Sequence, residues 1–473
     1  MEAVIGRDEE KTILTEALLT DSAELIAVFG RRRIGKTYLI RNHYKDYLKF
    51  ELTGIHDASL KEQLHNFSRS LQESAGLAYR PSDPASWLEA FEMLSDHLKK
   101  IVRKSPVVIL IDELPWLCTP RSGFLQAFGH WWNTSASRIP QLKVVICGSA
   151  ASWMIRQVIN DRGGLHNRVT RRIRLLPFTL HETKAFLEYQ RVKLDDFQVL
   201  QIYMSMGGVP HYLKHVQKGQ SAAQIVDKLF FSKQGILKTE FSGLYRSLFA
   251  NASNHEAVVR ALARKPEGLN RAEIIAACGF TTGGWTTALI EELEQSGFIT
   301  QYIPFGRTQR DAIYKLSDEY SLFYLKFVES AKSVGPGSWL RIARTARFHS
   351  WAGFAFEAVC QKHVDQIKKA LGISGVYTEA SAWRHTGGAQ IDMLLDRADH
   401  CINLCEMKFS EAPFSISKKY AGELDRKLQV FREQTGTRKS IFLTMVSSYG
   451  TIENEYYLGR VVTQLTMADL FKA

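Results

Sequence analysis

The chain has 473 residues, 45% of them hydrophobic and 23% charged, a balance that excludes a largely disordered polymer and points to a soluble globular protein. That length allows roughly two to four domains. A formal net charge of +12 and a pI near 9.3 favour a polyanionic partner such as nucleic acid, although a generic basic surface would carry the same charge.

In chain order, residues 1–240 read as alternating strands and helices. Leu25–Phe29 is a buried strand, followed by a glycine-rich turn and a helix from Lys36. Val107–Ile111 and Leu142–Cys147 are two more. Continuous β-branched runs separated by helical patterns predict a parallel sheet covered on both faces. Helices dominate from His181 to Tyr245. Three short helices follow (Glu256–Ala263, Asn270–Ala277 with Asn270 as N-cap, and Thr286–Gln295), then a hairpin from Phe298–Ile303 and Ala312–Leu316 around Gly306-Arg307. Three helices and a hairpin predict a winged helix. Lys332–Ser338 reads as a linker. Beyond it come a helix over Phe354–Lys369, strands at Ile391–Leu395, Ile402–Phe409 and Ser440–Met445, and a helix over Tyr420–Gln434. No apolar run exceeds strand length, no signal-like core opens the chain, and the six cysteines form no CxxC pair. A cytoplasmic setting without a membrane partner is expected.

Gly30-Arg31-Arg32-Arg33-Ile34-Gly35-Lys36-Thr37 has the full Walker A spacing and stands between a strand and a helix. Glycines allow close backbone approach to phosphate, and the helix N-terminus faces negative charge. Lys36 is expected to reach the β and γ phosphates of ATP, and Thr37 to ligate Mg²⁺. Asp112, ending a buried strand, is the matching metal-binding carboxylate, and Glu113 is placed to polarise the attacking water. Ser149, after the third strand, is either a γ-phosphate sensor or a helix N-cap. Arg162, Arg168, Arg171, Arg172 and Arg174 crowd the next stretch. One could act as an arginine finger, with Arg168 the choice, or the set could grip nucleic acid or simply face solvent.

Ile5-Gly6-Arg7-Asp8-Glu9, the phosphate loop, Ile111-Asp112-Glu113, Gly148-Ser149 and Gly208-Val209-Pro210 occur in this order. Together they resemble the archaeal-type ATPases of the signal-transduction ATPase superfamily, relatives of the AAA+ proteins. That resemblance implies Pro210 near the adenine and Arg7 near the nucleotide or a neighbouring subunit. The last third resembles the restriction-endonuclease-like accessory domain often joined to such ATPases.

In that last third, alternation puts Glu406 and Lys408 on one strand face. With Asp392 on a neighbouring strand they would form the Asp…Glu-x-Lys core of PD-(D/E)xK nucleases. Two carboxylates there would hold Mg²⁺ and the lysine would place a water. Glu357 would assist from the first helix as a further metal ligand, and Lys427 would face DNA. Ile391 stands where that family usually has proline. A chance surface pattern and an inert binding fold are the alternatives. In the winged helix, Thr281–Leu289 would be the recognition helix, without any lysine or arginine, and the wing carries Arg307 and Arg310; a protein-interaction spacer would look the same.

The fold expected is therefore α/β: a P-loop NTPase sheet at 1–180, a helical lid at 181–248, a winged helix at 249–331 and a PD-(D/E)xK-like domain at 345–473. The function expected is an ATP-hydrolysing, Mg²⁺-dependent switch coupled to a unit that binds or cuts DNA. The rivals are a signalling ATPase with an inert nuclease-like fold, a protein partner and homo-oligomerisation, and a transcription regulator acting through the winged helix.

Overall fold

The computed structural model describes residues 4–473 other than 120, 162, 250, 332–334, 336, 386 and 387. Arg162 and most of the expected linker therefore lie outside the described residues. The chain divides into two compact units, residues 1–176 and 177–473.

The first unit is built on five parallel strands: β1 Glu24–Phe29, β2 Leu48–Thr53, β3 Val107–Asp112, β4 Leu142–Gly148 and β5 Arg171–Arg174, in spatial order β2-β3-β4-β1-β5. The three inner strands are buried along their whole length. Alternation sorts their side chains into two cores. Leu25, Ala27, Phe29, Ile109, Ile111, Val144 and Ile146 enter one, and Ile26, Val28, Val108, Leu110, Val145 and Cys147 the other. On the first face the helices Leu60–Ala75, Trp87–Ile101 and Phe124–Thr134 bring Phe67, Trp87, Phe91, Phe124 and Phe128. Each buried side chain of this size adds about 1.5–3 kcal/mol. On the second face the helices Asp8–Leu19 and Lys36–His43 bring Leu14, Leu39 and Ile40.

The arginine run is an edge strand. Within β5 only Ile173 enters the core, while Arg172 and Arg174 are exposed. Arg171 pairs with Glu16 at 3.0 Å and Glu24 at 3.7 Å. Alternation along an edge, not a dedicated basic patch, accounts for most of the cluster.

The second unit opens with helices from Leu180 to Arg246. The helices Ala252–Ala263, Arg271–Cys278 and Gly284–Gln295 follow, with a small antiparallel sheet of β6 Leu269–Asn270, β7 Ile299–Tyr302 and β8 Ile313–Leu316 in order β6-β8-β7. Asn270 caps the second of these helices in a capping box with Glu273, as its sequence predicts. The larger sheet has β9 Thr378–Arg384, β10 Gln390–Arg397, β11 Cys401–Lys408, β12 Ser440–Ser447 and β13 Val461–Thr466 in order β13-β12-β11-β10-β9. β9, β10 and β11 run antiparallel, while β11, β12 and β13 run parallel. Helix Lys418–Thr435 makes the crossover from β11 to β12.

The single helix expected over 354–369 is two, Ala346–Lys362 and Val364–Ala370. They meet at His363, whose Nε2 accepts the Leu180 N–H at 3.0 Å while Nδ1 donates to the Val359 carbonyl at 2.7 Å. Burial pushes that imidazole down to about 4, so it is held neutral. One hydrophobic core runs through this unit from Phe178 to Phe471, and a second, with Trp383, Leu404, Leu424 and Phe431, lies within the larger sheet and its crossover helix. All six cysteines are free. Among the described residues no helix is long and apolar enough to cross a membrane.

Candidate functional site

The phosphate loop joins β1 to helix Lys36–His43. Gly30, at φ 150°, lies so near the Leu175 carbonyl that a Cβ would sit 2.2 Å from its oxygen, so no other residue fits there. Gly35, at φ 92°, precedes the helix. The Lys36 ammonium is folded back into the loop, donating to the carbonyls of Gly30 at 2.9 Å and Arg31 at 3.0 Å. Burial lowers its pKa, partly offset by Glu113. A buried ammonium held only by neutral carbonyls is a cation placed for an anion. Of the remaining loop residues, Arg31 is buried, Arg32 lies over the Trp116 ring at 5.2 Å, Arg33 adopts φ 71°, and Ile34 enters the second core.

β4 lies between β1 and β3, which sets the ends of three strands around the loop. Thr37 donates to Asp112 Oδ2 at 2.7 Å. A loop hydroxyl and a buried strand-end carboxylate in contact are a fitting donor pair for a hard cation such as Mg²⁺. Glu113 takes φ 47°, ψ 48°, a left-handed conformation rare for glutamate. Its Oε2 accepts both the Ser149 hydroxyl at 2.7 Å and the Ser149 N–H at 3.2 Å. Ser149 therefore tethers Glu113. It is not an N-cap, since the helix that follows begins after Ala150 and has no side-chain cap. Arg7, buried at the start of the first helix, reaches the Ile34 carbonyl at 3.4 Å, so it does adjoin the loop. Arg168 lies exposed on the turn before β5.

Residues 5–216 match the family described as an ATPase domain predominantly from Archaea. The match covers the phosphate loop, Asp112, Glu113, Ser149 and Pro210, and supports nucleotide binding and hydrolysis by this part of the chain. An uncharacterized protein of Methanocaldococcus jannaschii is 24% identical over 432 residues, 89% of this chain and 91% of that one. The Walker-type ATPase of Pyrococcus abyssi superposes with a TM-score of 0.50 at 18% identity, covering 68% of this chain and 96% of that one. This likeness shows a shared fold. In the second unit Pro210 opens the short helix Pro210–Leu213. Just before it, a Cβ on Gly208 would stand 2.0 Å from the Phe178 carbonyl oxygen, which explains the glycine of the Gly-Val-Pro run.

The ATPase match ends far short of the C-terminal carboxylates, which stand on their own geometry. Met393 lies opposite Cys405 across β10 and β11, and Asp392 Oδ2 accepts the Met407 N–H at 3.0 Å. The buried carboxylates of Asp392 and Glu406 are thus neighbours. Glu357 faces them from helix Ala346–Lys362; burial, and then Asp392, push its pKa up to about 8. Glu406 is raised by the same two causes.

The pairing inside this cluster differs from the sequence expectation. Lys427, expected to face DNA, donates to both Glu406 oxygens at 2.7 and 2.8 Å. Tyr420 donates to Glu406 Oε2 at 2.9 Å. Lys408, the lysine of Glu-x-Lys, lies over the Tyr420 ring at 4.8 Å. Tyr420 and Lys427 are two turns apart on one helix and so share a face. Among the described residues no three His, Cys, Asp or Glu side chains form a ready metal cage. The donor types suit Mg²⁺, but with Glu406 clamped the arrangement does not.

Proposed function

We propose that the chain is an ATP-hydrolysing switch whose second unit engages DNA. The observation that carries the ATPase half is Lys36 caged by the Gly30 and Arg31 carbonyls beside the paired Thr37 and Asp112 and the tethered Glu113.

On this reading Lys36 leaves its neutral carbonyl acceptors for the anionic oxygens of the β and γ phosphates, so both partners of the contact become charged. Thr37 and Asp112 would hold Mg²⁺, which would supply positive charge to offset that of the phosphates. Glu113, released from Ser149, orients the attacking water and takes its proton as the new oxygen–phosphorus bond forms and the bond from the γ phosphorus to the bridging oxygen breaks, so that ADP leaves with that electron pair. Arg168 and Arg7 are the candidate cations for the developing negative charge, in this subunit or a neighbour. Pro210 would border the adenine.

For the second unit, support comes from Asp392 on β10 and Glu406 on β11 lying as neighbours, as a PD-(D/E)xK-like fold would require, and from the three helices and hairpin between Ala252 and Leu316, the elements a winged helix would require. The net charge of +12 favours DNA. A second reading is favoured by one observation: the Lys427 clamp on Glu406 suits an inert nuclease-like fold that binds without cutting.

Metal-dependent nicking of plasmid and DNA retention, each with and without ATP, separate these readings. Mg²⁺-dependent nicking lost on Asp392→Ala would establish a nuclease. Retention without nicking would establish an ATP-linked DNA binder. Neither, with ATP still hydrolysed, would leave a signalling ATPase with a protein partner.

A further inference from the structure

The β7–β8 hairpin is not a free wing. Phe305, in the loop after β7, donates its N–H to the Ala382 carbonyl of β9 at 3.1 Å and packs on Phe431 with ring centroids 5.4 Å apart. Tyr302 donates its hydroxyl to Gln361 Oε1 at 2.8 Å, and Gln361 donates to the Asp392 carbonyl at 3.3 Å. A chain of contacts therefore fixes the base of the hairpin to the strand that carries Asp392.

Two cavities, about 380 and 650 Å³, lie on either side of this junction, and Tyr302 and Lys315 line both. The smaller reaches Glu357 and Gln361, the larger Arg310, Arg384 and Trp383. The Lys315 ammonium stands over the Tyr302 ring at 5.2 Å. Among the described residues Lys315, Arg310 and Arg384 form no ion pair. Two acids of the larger cavity are already engaged at helix starts, Glu273 with Asn270 and Asp311 with Thr308; Glu267 is the third. The other arginine there, Arg271, is anchored to Thr287 and the Gly283 carbonyl.

We propose that the two cavities form one cleft for a strand of nucleic acid, in which Lys315 grips the phosphate beside Glu357 and Asp392 while Arg310 and Arg384 hold the phosphates next to it. This rests on the DNA-directed reading of the second unit and names its binding surface. The surface is shared: the hairpin supplies cations to the sheet's carboxylates, so neither segment binds the strand alone. Burial lowers the Lys315 pKa while Glu357 and Asp392 raise it, which is the state of a lysine kept near acids without pairing. An entering phosphate would complete its coordination.

The test is fluorescence anisotropy on the full chain with a short labelled DNA single strand and its duplex, in Ca²⁺ buffer, across a salt series. Variants are Lys315→Gln, Lys315→Arg, Arg310→Gln, Arg384→Gln and, as a control on the first unit's surface, Lys100→Gln. Loss of one phosphate contact weakens binding several-fold and lowers the log–log salt slope by about 1. That result is expected for Lys315→Gln, Arg310→Gln and Arg384→Gln, with Lys315→Arg and the control near wild type. Arg310 and Arg384 are exposed, so their variants keep the test open if Lys315→Gln misfolds by circular dichroism. Wild-type affinity and slope in Arg310→Gln and Arg384→Gln would overturn the cleft while leaving DNA binding in place. Wild-type protein that binds neither DNA would overturn the DNA-directed reading and the cleft with it.

Discussion

Lys36→Ala separates a ligand-binding role from a structural one. In the fold the ammonium makes two hydrogen bonds, at 2.9 and 3.0 Å, to neutral carbonyls. Hydrogen bonds to a charged group contribute about 1.5–3 kcal/mol each. Against this stands the cost of an ammonium left almost no solvent, several kcal/mol, which is also why burial depresses its pKa. The two nearly cancel, so removing the side chain should change the stability of the first unit by about 1 kcal/mol, a few degrees in Tm. With ATP bound the same ammonium meets anionic oxygens, and losing a contact of that kind costs about 2.7–4 kcal/mol, a factor of roughly 10²–10³. The assay pairs calorimetric melting without nucleotide with titration of a fluorescent ATP analogue. A large fall in affinity at nearly constant Tm is expected. Unchanged affinity, or a collapse of Tm without nucleotide, would refute the argument.

Two further outcomes concern the second unit. Glu357 holds its proton to about pH 8 in the fold and to about 4.5 when unfolded. Between those values the folded state binds more protons, so stability falls as pH rises through the window and levels off above it. Glu357→Gln should therefore melt with the wild type near pH 5 and above it near pH 9, and a gap that does not change with pH would contradict the assignment. Gly208→Ala forces a Cβ to within 2.0 Å of the Phe178 carbonyl oxygen and should cost at least about 2 kcal/mol by thermal denaturation; an unshifted Tm would mean the backbones do not approach so closely.

The strands that sequence pattern revealed and those it hid differ in one physical respect. β1, β3 and β4 are inner strands buried on both faces, so each reads as an unbroken apolar run. β2, β5, β9 and β13 are the four outer strands of the two large sheets. One side of each has no strand partner, and residues such as Lys49, Glu51, Arg172 and Gln464 break the apolar run. The break at His363 was hidden as well, since only the tertiary partner Leu180 explains a buried imidazole between two helices.

The site divides along the same line. The phosphate loop and Asp112 are local patterns and were legible. The Ser149 tether on Glu113 depends on β4 lying between β1 and β3, which no local window contains. The same holds for the Lys427 clamp: Glu406 and Lys427 were each visible, but their pairing across a β–α crossover was not. Lys315 is one polar residue of a short strand in the sequence, and only the docking of the hairpin on the larger sheet brings it to the cavity that Glu357 also lines.

The most direct test of the central claim is phosphate release by wild type and Glu113→Gln, with ATP binding followed in parallel. If Glu113 orients the attacking water, the variant binds ATP as the wild type does and releases almost no phosphate. Release at the wild-type rate by Glu113→Gln, or no ATP binding by the wild type, would contradict the account.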